Sequence, residues 1–294
     1  MASGGSGGTD KSAKEVLDEY GEQIKKEVHA KALEYENDLH GFLSRVVFSN
    51  GDKVGNHNAC LLNYTKDTNV TSGKSHPCYG RQGVRFSDTK GAECYRTRIK
   101  YNDHNTGSCA PFRRLHMCDR NLEEIYPDKI KKTDNLLVDV LLAAKHEGQM
   151  IANKLQEYDA TNYESRICTE LARSFADIGD IIRGKDLFLG HQQRKKNLEK
   201  RLETMFENIR NENNKKLGHL TTEELREYWW SLNRQEIWKA MICGAPKEAH
   251  YFRKTCSNNT TETQSNCHCI DGTVPTYFDY VPQYLRWFEE WAED

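Results

Sequence analysis

Ten cysteines, at positions 60, 78, 94, 109, 118, 168, 243, 256, 267 and 269, constrain the fold of this 294-residue chain more than any other feature. So many in a chain with long helical stretches point to an oxidising compartment and a disulfide framework. Five fall within residues 51–121, so at least one must find its partner outside that stretch. Cys256, Cys267 and Cys269 lie in a Cys/Asn/Thr-rich loop, 244–273, and their pairing stays open, including to cysteines beyond this chain. Cys267-His268-Cys269, with Cys256 and His250, also invites a zinc reading. Structural zinc sites favour paired C-x2-C-type knuckles, which these spacings do not supply, so disulfides are preferred.

Around the cysteines the sequence is helical. Ser12 and Glu15 form a capping box, followed by Val16, Tyr20, Ile24 and Val28 at helical spacing, with Leu33 and Leu39 beyond. Four further apolar stripes follow from Thr133: Leu136 to Leu155, Ile167 to Ile182, Leu198 to Ile209, and Leu225 to Ala240 behind a second capping box, Thr221 to Glu224. A fifth, Tyr284, Leu285, Phe288 and Trp291, is entered through Pro282. Residues 1–10 are Gly/Ser-rich and read as disordered. The fold class is all-α: a disulfide-stapled helical bundle. Its expected parts are an N-terminal helical segment, 1–50, a loop-rich cysteine subdomain, 51–125, and a bundle, 126–294. Trp229 and Trp230 diverge by about 100° on a helix, so both cannot face one core. All five Trp lie between 229 and 291 and read as core, with a sugar-stacking role reserved for any that is exposed.

Net charge is −2, and no run of about 20 apolar residues crosses a membrane. Nucleic acid is not an expected partner. Gly179 to Asp186 nearly spells a phosphate-binding loop, but Asp186 stands where the magnesium-ligating hydroxyl belongs, and a helix capped by Gly184 is the better reading. No catalytic, metal or cofactor constellation is present. Basic pairs at Lys25 and Lys26, Arg113 and Arg114, and Lys131 and Lys132 read as solvated faces. The densest cluster is Arg194, Lys195, Lys196, Lys200 and Arg201, opposed only by Glu199. Glycosylation sequons at Asn63, Asn69, Asn258 and Asn259 imply surface loops if used.

Four words carry more: "CAPFRRLHMCDRNLE" (109–123), "ARSFADIGDIIRGKD" (172–186), "LREYWWSLNRQEIWKAMIC" (225–243) and "VPTYFDYVPQYLRWFEEW" (274–291). They resemble the Duffy-binding-like domain, alpha class, that heads the erythrocyte membrane protein 1 adhesins of Plasmodium falciparum. The resemblance implies adhesion from the infected red-cell surface, including cytoadhesion and rosetting, by a variable antigen exported without a classical signal peptide. It implies host cell-surface receptors as partners, with sulfated glycosaminoglycans and blood-group sugars among them. Glycan contacts are then expected at Arg194, Lys195, Lys196, Lys200 and Arg201, with Lys25 and Lys26 next. It also implies a Cys168–Cys243 bridge between bundle helices, two buried free thiols being the alternative. A final subdomain and the membrane anchor are expected outside this chain. The alternatives are a merozoite invasion ligand of the same fold and, from another class, a zinc-stabilised intracellular regulatory domain.

Overall fold

The computed structural model describes residues 11–87, 93–95, 98–100, 108–188 and 192–293; residues 1–10 lie outside them. In chain order its helices are α1 (Ala13–Ala32), α2 (Glu36–Leu39), α3 (Phe112–Leu115), α4 (Arg120–Glu124), α5 (Thr133–Tyr158), α6 (Tyr163–Arg183), α7 (Gln192–Glu212), α8 (Asn214–Leu217), α9 (Thr222–Met241), the kinked turn α10 (Cys256–Asn259) and α11 (Gln283–Glu293). Among the described residues strand pairing is confined to isolated bridges.

Local chemistry sets the helix ends. Both expected capping boxes are formed, Ser12 with Glu15 and Thr221 with Glu224, so two orphan amides are satisfied at each start. α6 stops where Gly184 turns left-handed, at φ 77°, and no nucleotide loop is formed there.

α5, α6 and α9 form the central layer, with α1 along α9 and α7 against α9 and α4. The stripes of α5, α6, α7 and α9 are buried. α5 approaches the end of α9 so closely that a Cβ on Gly148 would stand 1.8 Å from the Met241 carbonyl oxygen. The two adjacent tryptophans are both buried by meeting different neighbours. Trp229 donates to Thr133 Oγ1 at 2.6 Å and sets its edge to Phe206. Trp230 packs on Phe175 and donates to Asp279 Oδ2 at 2.8 Å.

The fifth stripe is reversed except at Leu285, which packs partly buried against the core. Tyr284, Phe288 and Trp291 are 51%, 74% and 38% exposed, while Gln283, Arg286, Trp287, Glu289 and Glu290 face inward. The reason lies in α6, which is buried on every side from Ile167 to Arg183. One of its faces is apolar, and the other carries Arg173, Asp177, Asp180 and Arg183 at helical spacing. That second face needs charges rather than apolar groups opposite it. Arg286 of α11 bonds Asp177 and Asp180, each at 2.6 Å. Arg173 meets Glu289 at 3.0 Å. Arg113 of α3 bridges Asp177 and Glu290, each at 2.8 Å, and Arg114 pairs with Asp186. Arg113 and Arg114 are therefore core residues, not a solvated face. Deeper still, Arg85 and Glu147 form a fully buried pair at 2.8 Å that ties the cysteine-rich stretch to α5.

All ten cysteines are paired, as Cys60–Cys243, Cys78–Cys118, Cys94–Cys109, Cys168–Cys267 and Cys256–Cys269. One partner of the 51–121 group does lie outside it, namely Cys243. The expected Cys168–Cys243 bridge is not formed. Cys168 sits under the returning 244–273 loop, where Trp238 Nε1 donates to the Cys267 carbonyl at 3.1 Å and presents Cys267 instead. Cys243 lies past the end of α9, beside the Ala59–Leu61 turn that carries Cys60. No cysteine of the loop needs a partner elsewhere. The zinc reading is displaced as well, since Cys256 and Cys269 bond each other and His250 Nδ1 donates to the Thr263 carbonyl at 2.7 Å.

Candidate functional site

The basic cluster of α7 opens onto a cleft of about 430 Å³. Its apolar floor is Ile181, Phe188 and Leu198. Lys196 and Lys200, one helical turn apart, project from the α7 wall, and Lys100 arrives from the cysteine-rich stretch, its amide bonded to the Leu187 carbonyl at 2.8 Å. Three carboxylates also line it: Asp186, Glu199 and Glu203. Two are engaged from behind, Asp186 by Arg114 and Glu199 by Arg226 at 2.5 Å. Three ammonium groups without an ion pair among the described residues therefore face Glu203 alone, and the cleft is locally cationic in a chain of net charge −2.

The rest of the cluster divides. Arg201 is committed to the fold, donating to the backbone carbonyls of Glu123 and Ile125 and lying over the Tyr126 ring. The side chains of Arg194 and Lys195 lie outside the described residues. Lys26 pairs with Glu22 at 2.9 Å. Lys25 is half-buried on α1, where burial and the nearby Arg234 pull its ammonium below the usual lysine range. These two lysines do not line the cleft. Trp291 is the most exposed tryptophan, yet its Nε1 donates to the Cys109 carbonyl at 3.2 Å.

Residues 107–286 match the family model of the Duffy binding domain, and residues 12–46 match that of the N-terminal segments of PfEMP1. The chain belongs to the Duffy binding domain family. A solved relative, the N-terminal NTS-DBL1-alpha and CIDR-gamma double domain of PfEMP1 from the Plasmodium falciparum varO strain, is 38% identical with a TM-score of 0.84, covering 97% of this chain and 43% of that one. A PfEMP1 DBLb domain solved bound to human ICAM-1 is 28% identical with a TM-score of 0.75, covering 99% of this chain and 63% of that one. Among curated proteins, the Duffy receptor beta form of Plasmodium knowlesi is 25% identical over 196 residues. The chain spans 14% of that receptor's length.

In this Duffy binding domain, the four sequence words that carry the resemblance meet one another in the buried ionic layer and the core. The α7 cleft lies outside them except at Ile181 and Asp186. Sequence spacing found Lys196 and Lys200 but not Lys100, which lies almost a hundred residues upstream and reaches the cleft only through the fold. No helix among the described residues is long and apolar enough to cross a membrane.

Proposed function

We propose that this domain is a receptor-binding module of a surface adhesin and takes sulfated glycosaminoglycan in the cleft of Lys100, Lys196 and Lys200. The observation that carries the reading is this set of three ammonium groups, opposed by Glu203 alone, above an apolar floor. Sulfates supply charge for the lysines, and a sugar ring supplies an apolar face for Phe188 and Leu198. The family supports a host-receptor role, since a relative of the same fold is bound to human ICAM-1. The setting on the infected erythrocyte, with cytoadhesion, rosetting and blood-group sugars as wider partners, follows from the kinship to the PfEMP1 N-terminal domain. A merozoite invasion ligand is the weaker reading, because the N-terminal segment matches the PfEMP1 type and the Duffy receptor is the more distant relative.

Each exposed contact contributes about 0.2 to 1 kcal/mol, so affinity is modest. Screening over about 8 Å at physiological salt makes binding fall steeply as salt rises. The test is elution from heparin. Lys196→Glu with Lys200→Glu elutes at clearly lower salt than wild type, and Lys100→Glu alone moves the same way. Equal elution of all three proteins places the glycan elsewhere, with Lys25 and Lys26 the next candidates.

A further inference from the structure

A second cleft, of about 440 Å³, opens where α1, the turn after α6 and the start of α11 converge. Its walls are largely apolar: Ile24 and Val28 of α1, Leu187, Val281, Pro282 and the half-exposed ring of Tyr284. Most polar groups at its base are already satisfied, the buried Tyr280 hydroxyl being the exception. Asp180 is held by Arg183 and Arg286, Asp279 by Arg234 and Trp230, and Gln283 donates to Asp177 and Asp186. A ligand seated there has at most one buried hydroxyl, that of Tyr280, to complete, so the base favours apolar groups.

The rim differs. Lys185, with its side chain 56% exposed, pairs with Glu227, and Glu227 also accepts from Arg183 Nη1 at 3.0 Å. Lys185 can therefore turn to another anion without leaving Glu227 unpaired. It is a releasable cation at the mouth of an apolar cleft. We propose that this cleft is a docking site for a protein partner, one that presents a large apolar side chain next to a carboxylate. The apolar side chain fills the space between Val28 and Tyr284, and the carboxylate replaces Glu227 on Lys185. Because α1 forms one wall, occupancy also holds the N-terminal helix against the bundle.

The probe is N-acetyl-phenylalanyl-glutamate amide, titrated into isotope-labelled protein and followed by amide chemical shifts, with N-acetyl-phenylalaninamide as the uncharged control. The acidic dipeptide is expected to shift the amides of Leu187 and Tyr284 and to bind more tightly than the control. Lys185→Ala weakens the dipeptide about three- to fivefold, the weight of one exposed ion pair, and leaves the control unchanged, while Lys185→Arg restores it. Tyr284→Ala weakens both probes. Equal binding of the two probes, equal loss of both in Lys185→Ala, or shifts elsewhere on the molecule would overturn the assignment. Heparin elution of Lys185→Ala serves as the control for the α7 cleft and is expected to be unchanged.

Discussion

Asp18 of α1, itself fully buried, accepts from Arg253 Nε at 2.7 Å, and this contact latches the N-terminal helix to the loop that Cys168–Cys267 fastens to the bundle. The same carboxylate accepts from the Tyr277 amide at 2.6 Å and from the Tyr251 hydroxyl at 3.1 Å. The helix approaches so closely that a Cβ on Gly21 would lie 2.2 Å from the Tyr277 carbonyl oxygen. Burial pushes the Asp18 carboxyl up to about 6, against Arg253 and the Tyr277 amide, which pull it down. The folded chain thus holds this proton more tightly than the unfolded chain does. Asp18 contributes most stability below the ordinary aspartate range, and that contribution is lost as pH rises through about 6. The expected loss is on the order of 3 kcal/mol. Guanidinium unfolding of wild type and Asp18→Asn between pH 4 and 7 checks it. A constant difference between the two proteins across that window removes Asp18 from the account.

Asp177 behaves in the opposite sense. Burial raises its carboxyl, but Arg113 and Arg286 outweigh burial and hold it at about 2. Its contribution is present above the ordinary aspartate range and lost as pH falls toward 2. Asp177→Ala leaves two buried guanidinium groups short of a partner and is expected to cost about 3 to 5 kcal/mol. Denaturation under non-reducing conditions measures it. A cost below about 1 kcal/mol, the range of a surface pair, would show that water reaches the layer.

Non-reducing peptide mapping is expected to recover Cys60 linked to Cys243 and Cys168 linked to Cys267. These bridges span sequence separations of 183 and 99, for which the chain-entropy model gives about 5 kcal/mol each. Paired Cys168→Ser and Cys267→Ser substitutions should lower the unfolding midpoint strongly. Recovery of a Cys168–Cys243 peptide would reverse the pairing.

Of the four sequons, Asn69 is closed to modification in the native fold. Its Nδ2 donates to the Asn135 carbonyl at 2.8 Å and to Asp139 at 2.6 Å, beneath the surface. Expressed in a glycosylating host, folded protein is expected to carry no glycan at Asn69, with exposed Asn63 and Asn258 free to accept one. Asn259 is intermediate in consequence, because its Nδ2 bonds Glu22 at 2.9 Å and a glycan there would loosen α1. Glycopeptide mapping of the secreted, folded fraction decides each site.

Four apolar stripes and both capping boxes were legible in the sequence because each follows from residues within one turn or one face. The fifth was misread because an apolar stripe marks the inward face only when the interior opposite is apolar. α11 lies on the charged face of α6, so Arg286, Glu289 and Glu290 go in while Phe288 stays out. The signal was present: Arg173, Asp177 and Asp180 on one helix, and Arg286, Glu289 and Glu290 on another, recur at helical spacing with complementary charge. The same blindness made Arg113 and Arg114 look solvated. Disulfide partners and the Lys100 contribution to the α7 cleft depend on how distant segments return, which no local pattern records.

The unbroken burial of Ile167 to Arg183 has a serological consequence. Antibodies raised against a peptide of that sequence would meet their epitope only in denatured chains. Such antibodies would therefore report unfolded chain and leave the intact fold unrecognised. Antibodies that bind the folded chain must use outward surfaces instead, such as the exposed side chains Tyr284 and Phe288 of α11.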